Sequence, residues 1–292
     1  MAYRIVKINS RCKLETSLNY LVCRAESETR ILLDEISVIL IENQQACLTS
    51  ALLSECMSHG IRVIFCDGKH NPQGELNPYF GCYDGLAKFR LQCSWSDGAK
   101  DQAWQAIIRQ KVLNQAFVLR SRGKTDKANM LAKFSEEVLP GDPGNREGLA
   151  AKVYFQSLFG TSFDRRDEYN PINLYLNYGY SLLLSLINRE ISSFGYINHV
   201  GIHHIGETNP FNLGCDFVEP FRPFVDETVL RLEPNRENYK KSMLDCMSRE
   251  VSFSGKKMLL QNAAKPYVIA AFSYLNGKSQ EIPNLSFANG NI

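Results

Sequence analysis

The chain has 292 residues, 44% of them hydrophobic and 22% charged, with a formal net charge of +2. That length holds one large domain or two modest ones with a real core, and the usage is that of a globular protein. A charge so near zero excludes nucleic-acid binding through overall basicity and leaves a local patch as the only route to such contact.

The first residues, MAYRIVKINS, lack the long apolar stretch of a signal peptide, and no apolar run reaches the roughly 18 residues of a membrane span. The expectation is a cytoplasmic protein with no membrane partner. Nine cysteines are scattered without a C-x-x-C pair, which points to reduced thiols rather than disulfides or a zinc site.

In chain order, YRIVKI (3–8), NYLVCRA (19–25) and TRILLDEISVILIEN (29–43) carry β-branched residues in alternating or continuous apolar runs and predict strands. TSALLSECMSHG (49–60) predicts a short helix capped by Thr49 and ended by Gly60, followed by a strand in RVIFCD (62–67). Segment 68–84 is dense in Gly, Pro and Asn and reads as a hinge or surface loop containing His70. Beyond Trp95 the periodicity turns helical, with Trp104, Ile108, Val112, Ala116 and Leu119 on one stripe. YLNYGYSLLLSLINREISSFG (175–195) is apolar nearly all round and predicts the central helix of a helical domain. The fold class expected is α+β in two domains. Residues 1–84 form a small β-sandwich with one short helix, 85–276 an all-α domain, and 277–292 a mobile tail or one ordered by a partner.

Three stretches carry candidate chemistry. In PGDPGNREGLAAKVYFQSLFG (140–160), Asn145 is a good N-cap and Glu147 falls in the first helical turn. An acid there is either a site residue or one favoured by the helix dipole. His203 and His204 precede a Gly/Asn/Pro-rich loop; neighbours point in different directions, so only one of them can face a site. Loop histidines also serve as surface or capping groups. Asp216 and Glu219 lie three apart beside Pro220 and Pro223, and Glu219 sits at a helix start either as a ligand or as a capping acid. Carboxylates with one imidazole suit Mg²⁺ or Mn²⁺ and phosphodiester chemistry. Arg109, Lys111, Arg120, Arg122, Lys124, Lys127 and Lys133 cluster along 109–133 as a candidate phosphate-binding surface or a solvated helical face. The tyrosines of YLNYGY read as core, with base stacking the alternative. No Walker loop, G-x-S-x-G elbow or dinucleotide fingerprint is present.

The stretches GDPGNREGLAAKVYFQSLFG, PINLYLNYGYSLLLSLINREI and GIHHIGETNPFNLGCDFVEPFRPFVD, with the RVIFCD strand, together resemble the CRISPR-associated integrase family, the first of the numbered Cas proteins, in its type II form. The resemblance covers nearly the whole chain and rests on four motifs in order. It implies an N-terminal β-sandwich serving dimerisation and DNA contact, and a helical catalytic domain. It also implies a homodimer, two of which flank a dimer of the second Cas protein in a heterohexamer, alongside other type II adaptation proteins. The reaction implied joins the 3′-hydroxyl of double-stranded spacer precursor DNA to a CRISPR repeat by transesterification. The family's metal ligands match Glu147, His204 and Glu219, with Asp216 and Arg222 as auxiliaries; Arg222 would reach a phosphate or pair with Asp226. A non-catalytic DNA-binding scaffold and a stand-alone structure-selective nuclease are the alternatives. Because Glu219 is expected at a site and not in the core, its replacement by alanine is expected to spare the fold.

Overall fold

A computed structural model describes residues 4–68, 72–76, 84–232 and 239–288. The chain divides into two units, residues 1–81 and 82–292. His70 and most of the expected hinge lie outside the described residues.

The first unit contains strands β1 (Arg4–Ile8), β2 (Lys13–Ser17), β3 (Tyr20–Arg24), β4 (Glu28–Leu32), β5 (Ile36–Ile41) and β6 (Cys47–Leu48), helix α1 (Ser50–Ser58), then β7 (Arg62–Cys66) and β8 (Pro72–Glu75). Two four-stranded sheets result, with orders β1-β5-β7-β8 and β4-β3-β2-β6. β5 lies between β1 and β7, parallel to both, and all six of its residues are buried. That position explains its continuous ISVILI run, since a central parallel strand needs apolar side chains on both faces. Ile8, Leu14, Leu21, Leu33, Ile39, Leu52, Cys56 and Val63 form one core. Thr49 caps α1 by accepting from the Leu52 N–H at 3.3 Å, and Gly60 follows with φ +66°. β2 is an addition to the expected strands. It is tied to β3 through a two-residue turn at Leu18 and Asn19, both with positive φ.

The second unit contains helices α2 (Gly85–Cys93), α3 (Asp97–Ser121), α4 (Thr125–Glu137), α5 (Arg146–Phe159), α6 (Pro171–Ser193), α7 (Asn212–Val218), α8 (Arg222–Arg231) and α9 (Tyr239–Met247), strands β9 (Glu250–Phe253) and β10 (Lys256–Leu259), helix α10 (Leu260–Leu275) and strand β11 (Leu285–Phe287). The Trp104, Ile108, Val112, Ala116 and Leu119 stripe of α3 is buried throughout. α6 opens on Asn170, whose side chain accepts from the Ile172 N–H at 2.9 Å, with Pro171 at the first helical position. Its Tyr175, Tyr178 and Tyr180 are buried, so these tyrosines are core.

Two expectations need correction here. The helical unit is not all-α, because β10-β9-β11 form an antiparallel sheet whose hairpin turns at Ser254 and Gly255, both with positive φ. Residues 285–287 are also not a loose tail. Leu285 and Phe287 are buried, and the Phe287 ring lies 4.5 Å from that of Phe117 and 4.3 Å from that of Phe224. Apolar burial and pairing with β9 hold this end of the chain. The thiols of Cys12, Cys23, Cys47, Cys56, Cys93, Cys215 and Cys246 are free.

Candidate active site

The turn before α5 holds Asp142 and Asn145 at positive φ. The Asp142 carboxylate accepts from the N–H groups of Arg146 and Glu147, both at 2.9 Å, and the Asn145 side chain accepts from Gly148 N–H at 3.1 Å. These two residues satisfy the first amides of the helix, so the Glu147 side chain is not needed as a cap. It turns instead to Lys111 on α3, whose Nζ lies 2.6 Å from Glu147 Oε1.

The same ammonium lies 2.5 Å from Glu219 Oε2. Glu219 is only 3% exposed and Lys111 7%. Arg222 Nη2 takes the other oxygen, Glu219 Oε1, at 3.0 Å. Arg222 therefore pairs with Glu219 and not with Asp226. Burial opposes ionisation of Glu219, but the Arg222 and Lys111 charges outweigh it and hold the carboxyl below its ordinary range. Lys111 is likewise buried, and the two glutamates keep its ammonium charged, above its ordinary range. The Glu219 Oε2 contact is a close ion pair with the Lys111 ammonium.

Glu219 does not stand at the start of a helix, as the prolines suggest. α7 continues through a 3-10 turn at Glu219–Phe221 straight into α8. Pro220 and Pro223 each lack the N–H that an α-helix would use, and the backbone tightens there so that Arg222 N–H reaches Glu219 C=O. Buried Asn114, one turn after Lys111, fixes this turn by donating to Pro220 C=O at 3.0 Å and to Leu285 C=O at 2.9 Å. Beyond Arg222, the guanidinium lies 4.8 Å from the centre of the Tyr180 ring, and the Tyr180 hydroxyl donates to Asp226. Burial pushes the Asp226 carboxyl up to about 6.

Asp216, whose part the sequence leaves open, is fully buried in the last turn of α7. Its Oδ2 accepts from Ile202 N–H at 2.7 Å and His203 N–H at 3.2 Å; its Oδ1 accepts from His204 N–H at 3.0 Å and lies 2.7 Å from His204 Nδ1. One carboxylate thus ties down the whole histidine loop. Gly201 permits the approach, since a Cβ there would stand 2.3 Å from His204 C=O and 2.8 Å from Asp216 Oδ2. The hydrogen bond with Asp216 raises the His204 pKa against the opposing effect of burial, and the charges of Asp216, Glu219 and Glu147 add to the rise. The two histidine rings meet one indole in different ways. The His203 ring stacks on buried Trp104 at 4.1 Å and 6°, and His204 meets the same indole edge-on.

The structure therefore brings Glu147, Glu219 and Arg222 together around Lys111, and His204 together with Asp216. Among the described residues no group of three or more His, Cys, Asp and Glu side chains stands ready around one ion position. An ammonium sits where the two carboxylates meet. The sequence carried a sign of it: Lys111 lies seven residues after Trp104 and three after Ile108, on the buried stripe, where a lysine needs acidic partners. The basic run 109–133 does not act as one patch. Lys111 is buried on the acids and Arg109 donates to Glu136 and Val138 carbonyls, while Arg122, Lys124, Lys127 and Lys133 are exposed.

The two-unit α+β architecture with an acid, imidazole and cation cluster in its helical unit defines a class that the comparisons specify. Residues 6–272 match the family described as CRISPR associated protein Cas1. The chain is 40% identical to the CRISPR-associated endonuclease Cas1 of Neisseria meningitidis serogroup C (strain 8013) over 80% of this chain and 76% of that protein. The chain belongs to the Cas1 family. Its fold is also that of a casposase bound to integration product, with TM-score 0.75 and 19% identity over 99% of this chain and 94% of the other. A chain of a Cas6-RT-Cas1–Cas2 complex matches with TM-score 0.70 and 17% identity over 96% of this chain and 36% of that one. Among the described residues no helix is long and apolar enough to cross a membrane.

Proposed function

We propose that this chain is a metal-dependent DNA integrase and endonuclease of CRISPR adaptation, which joins spacer 3′-hydroxyl ends to the CRISPR repeat by transesterification. Family membership supports the setting, and the observation that carries the chemistry is the meeting of Glu147 and Glu219 on one cationic position. The donor set fits Mg²⁺ or Mn²⁺. Two carboxylate oxygens already converge on a positive charge, and His204 Nδ1 is engaged by Asp216, which leaves Nε2 for a ligand. Glu147, His204 and Glu219 would hold the ion. When bound, it would stabilise charge developing on the target phosphate and ease ionisation of the attacking hydroxyl.

The protein's own groups supply the rest. Asp216 holds the His204 ring through one hydrogen bond and its loop through three backbone ones, and the Asn114 bond to Pro220 holds the turn that carries Glu219. Arg222 holds Glu219 Oε1 and keeps the carboxylate ionised. Partners in this reading are double-stranded DNA, a second copy of the chain, and the second Cas protein in a heterohexamer, with other type II adaptation proteins, in the cytoplasm. The solved Cas6-RT-Cas1–Cas2 complex and the DNA product bound by the casposase belong to relatives in fold and support that choice of partners.

A second reading, a DNA-binding assembly scaffold without catalysis, is favoured by the pairing of both glutamates with Lys111. A strand-transfer assay separates them, using a supercoiled repeat-bearing plasmid, Mn²⁺ and the second Cas protein. The integrase reading predicts covalently joined spacer ends that disappear in Glu147→Ala and His204→Ala. Joining that persists undiminished in both variants refutes the catalytic assignment, and cutting without joining favours a stand-alone nuclease.

A further inference from the structure

Around Glu219 the formal charges cancel before any divalent ion is present: Glu147 and Glu219 face Lys111 and Arg222. The two cations are not equivalent. Arg222 approaches Glu219 Oε1 from the side, stacked on Tyr180, whereas Lys111 Nζ stands between Glu147 Oε1 and Glu219 Oε2, within 2.6 Å of each. Glu147 and Glu219 are also the carboxylates that would hold a Mg²⁺ or Mn²⁺ ion, so the ammonium and a divalent cation would compete for the same pair of acids. The lysine has the means to leave, since its charge sits on a flexible four-carbon stem; the planar guanidinium held on Tyr180 does not.

We propose that Lys111 is an internal counter-cation that a divalent ion must displace from between Glu147 and Glu219, so that the lysine sets how tightly the site takes the ion. The inference rests on the metal reading given above. In the metal-free protein the ammonium relieves the repulsion between two carboxylates, one of them deeply buried, and keeps the site folded. The same contact weakens the site for Mg²⁺ and Mn²⁺, because the ion gains the carboxylates only by expelling a charge that is already well paired.

Mn²⁺ binding to the purified full chain without DNA, followed by calorimetry and by the loss of the free-ion electron paramagnetic resonance signal, tests the exchange. Lys111→Met removes the charge, Lys111→Gln removes it but keeps N–H donors for both carboxylates, and Lys111→Arg retains it. The glutamine variant keeps the test open if the methionine variant fails to fold. Both neutral variants are expected to bind Mn²⁺ about tenfold more tightly or better, because the ion no longer has to expel a paired positive charge from the two carboxylates. They should also show a larger Mn²⁺-induced rise in melting temperature than the wild type, and Lys111→Arg should bind no more tightly. Unchanged or weaker binding by the folded neutral variants overturns the exchange, and would mean that Lys111 arranges the acids for the ion. Glu147→Gln monitors the underlying reading separately. If the wild type binds Mn²⁺ and Glu147→Gln does not, the metal site stands whatever Lys111 does. If Glu147→Gln binds as the wild type does, or neither binds, the metal reading fails and the exchange with it.

Discussion

Asp216→Asn is the change whose cost the structure defines most closely. The aspartate is fully buried, and its two oxygens each accept two hydrogen bonds, from Ile202 and His203 on one side and from the His204 backbone and ring on the other. Asparagine has nearly the same shape but offers a single carbonyl oxygen. Turned toward Ile202 and His203, its NH₂ faces two N–H groups that have lost their acceptor; turned the other way it faces the His204 N–H and forces the ring to change tautomer. Two charge-assisted hydrogen bonds at about 1.5–3 kcal/mol each, reduced by local relaxation, give an expected loss of about 3–5 kcal/mol. Urea unfolding measures it as a lower midpoint with an unchanged slope. The loosened loop also removes the anionic partner of His204, so its imidazole should titrate at lower pH than in the wild type, read from the ring proton shifts of a His204-assigned spectrum. A loss below about 1 kcal/mol with an unmoved His204 titration would refute the view that this carboxylate organises the histidine loop.

Glu219→Ala should both abolish strand transfer and lower stability by about 3–5 kcal/mol, because it strands the buried Lys111 and Arg222 charges. This corrects the expectation from sequence that the fold is spared, and a melting temperature equal to wild type would reinstate it. Leu183→Ala, at a fully buried position of α6, should cost about 2–5 kcal/mol through the cavity it leaves, measured by denaturant unfolding with activity per folded molecule retained. Asp226 gives a pH dependence. Its pKa is raised in the folded state from the ordinary 3.8 to about 6, so its contribution is complete below the unfolded value and is lost as pH rises through about 6. Full ionisation then costs about 3 kcal/mol, and Asp226→Asn should gain on the wild type between pH 4 and pH 7 in melting temperature. A difference that is flat with pH would contradict the raised carboxyl.

Much of the architecture is legible because local patterns and the fold agree. The continuous apolar run of β5, the Thr49 cap, the stripe on α3 and the all-round apolar α6 each state their own burial. The β9–β10 hairpin is missed although Ser254-Gly255 between short apolar runs is a hairpin signal, because surrounding helical periodicity dominates the segment. β11 escapes notice since a three-residue strand has no periodicity to read, and its burial depends on Phe117 and Phe224 far away in sequence. At the site, Glu147, His204 and Glu219 stand out by motif, whereas the roles of Lys111 and Asp216 depend on side chains from separate elements converging. Asp142 shows why capping could not be settled locally. It sits five residues before Glu147 and takes the amide that Glu147 itself would have been assigned to serve.

The central claim is that Glu147, His204 and Glu219 form one divalent-ion site from which Lys111 withdraws. Anomalous diffraction from crystals soaked in Mn²⁺ tests it most directly. The account predicts a single strong peak within about 2.0–2.3 Å of both carboxylates and of His204 Nε2, with the Lys111 ammonium displaced. A fully soaked crystal in which Lys111 still bridges the two glutamates, with Mn²⁺ absent or bound elsewhere, would contradict it.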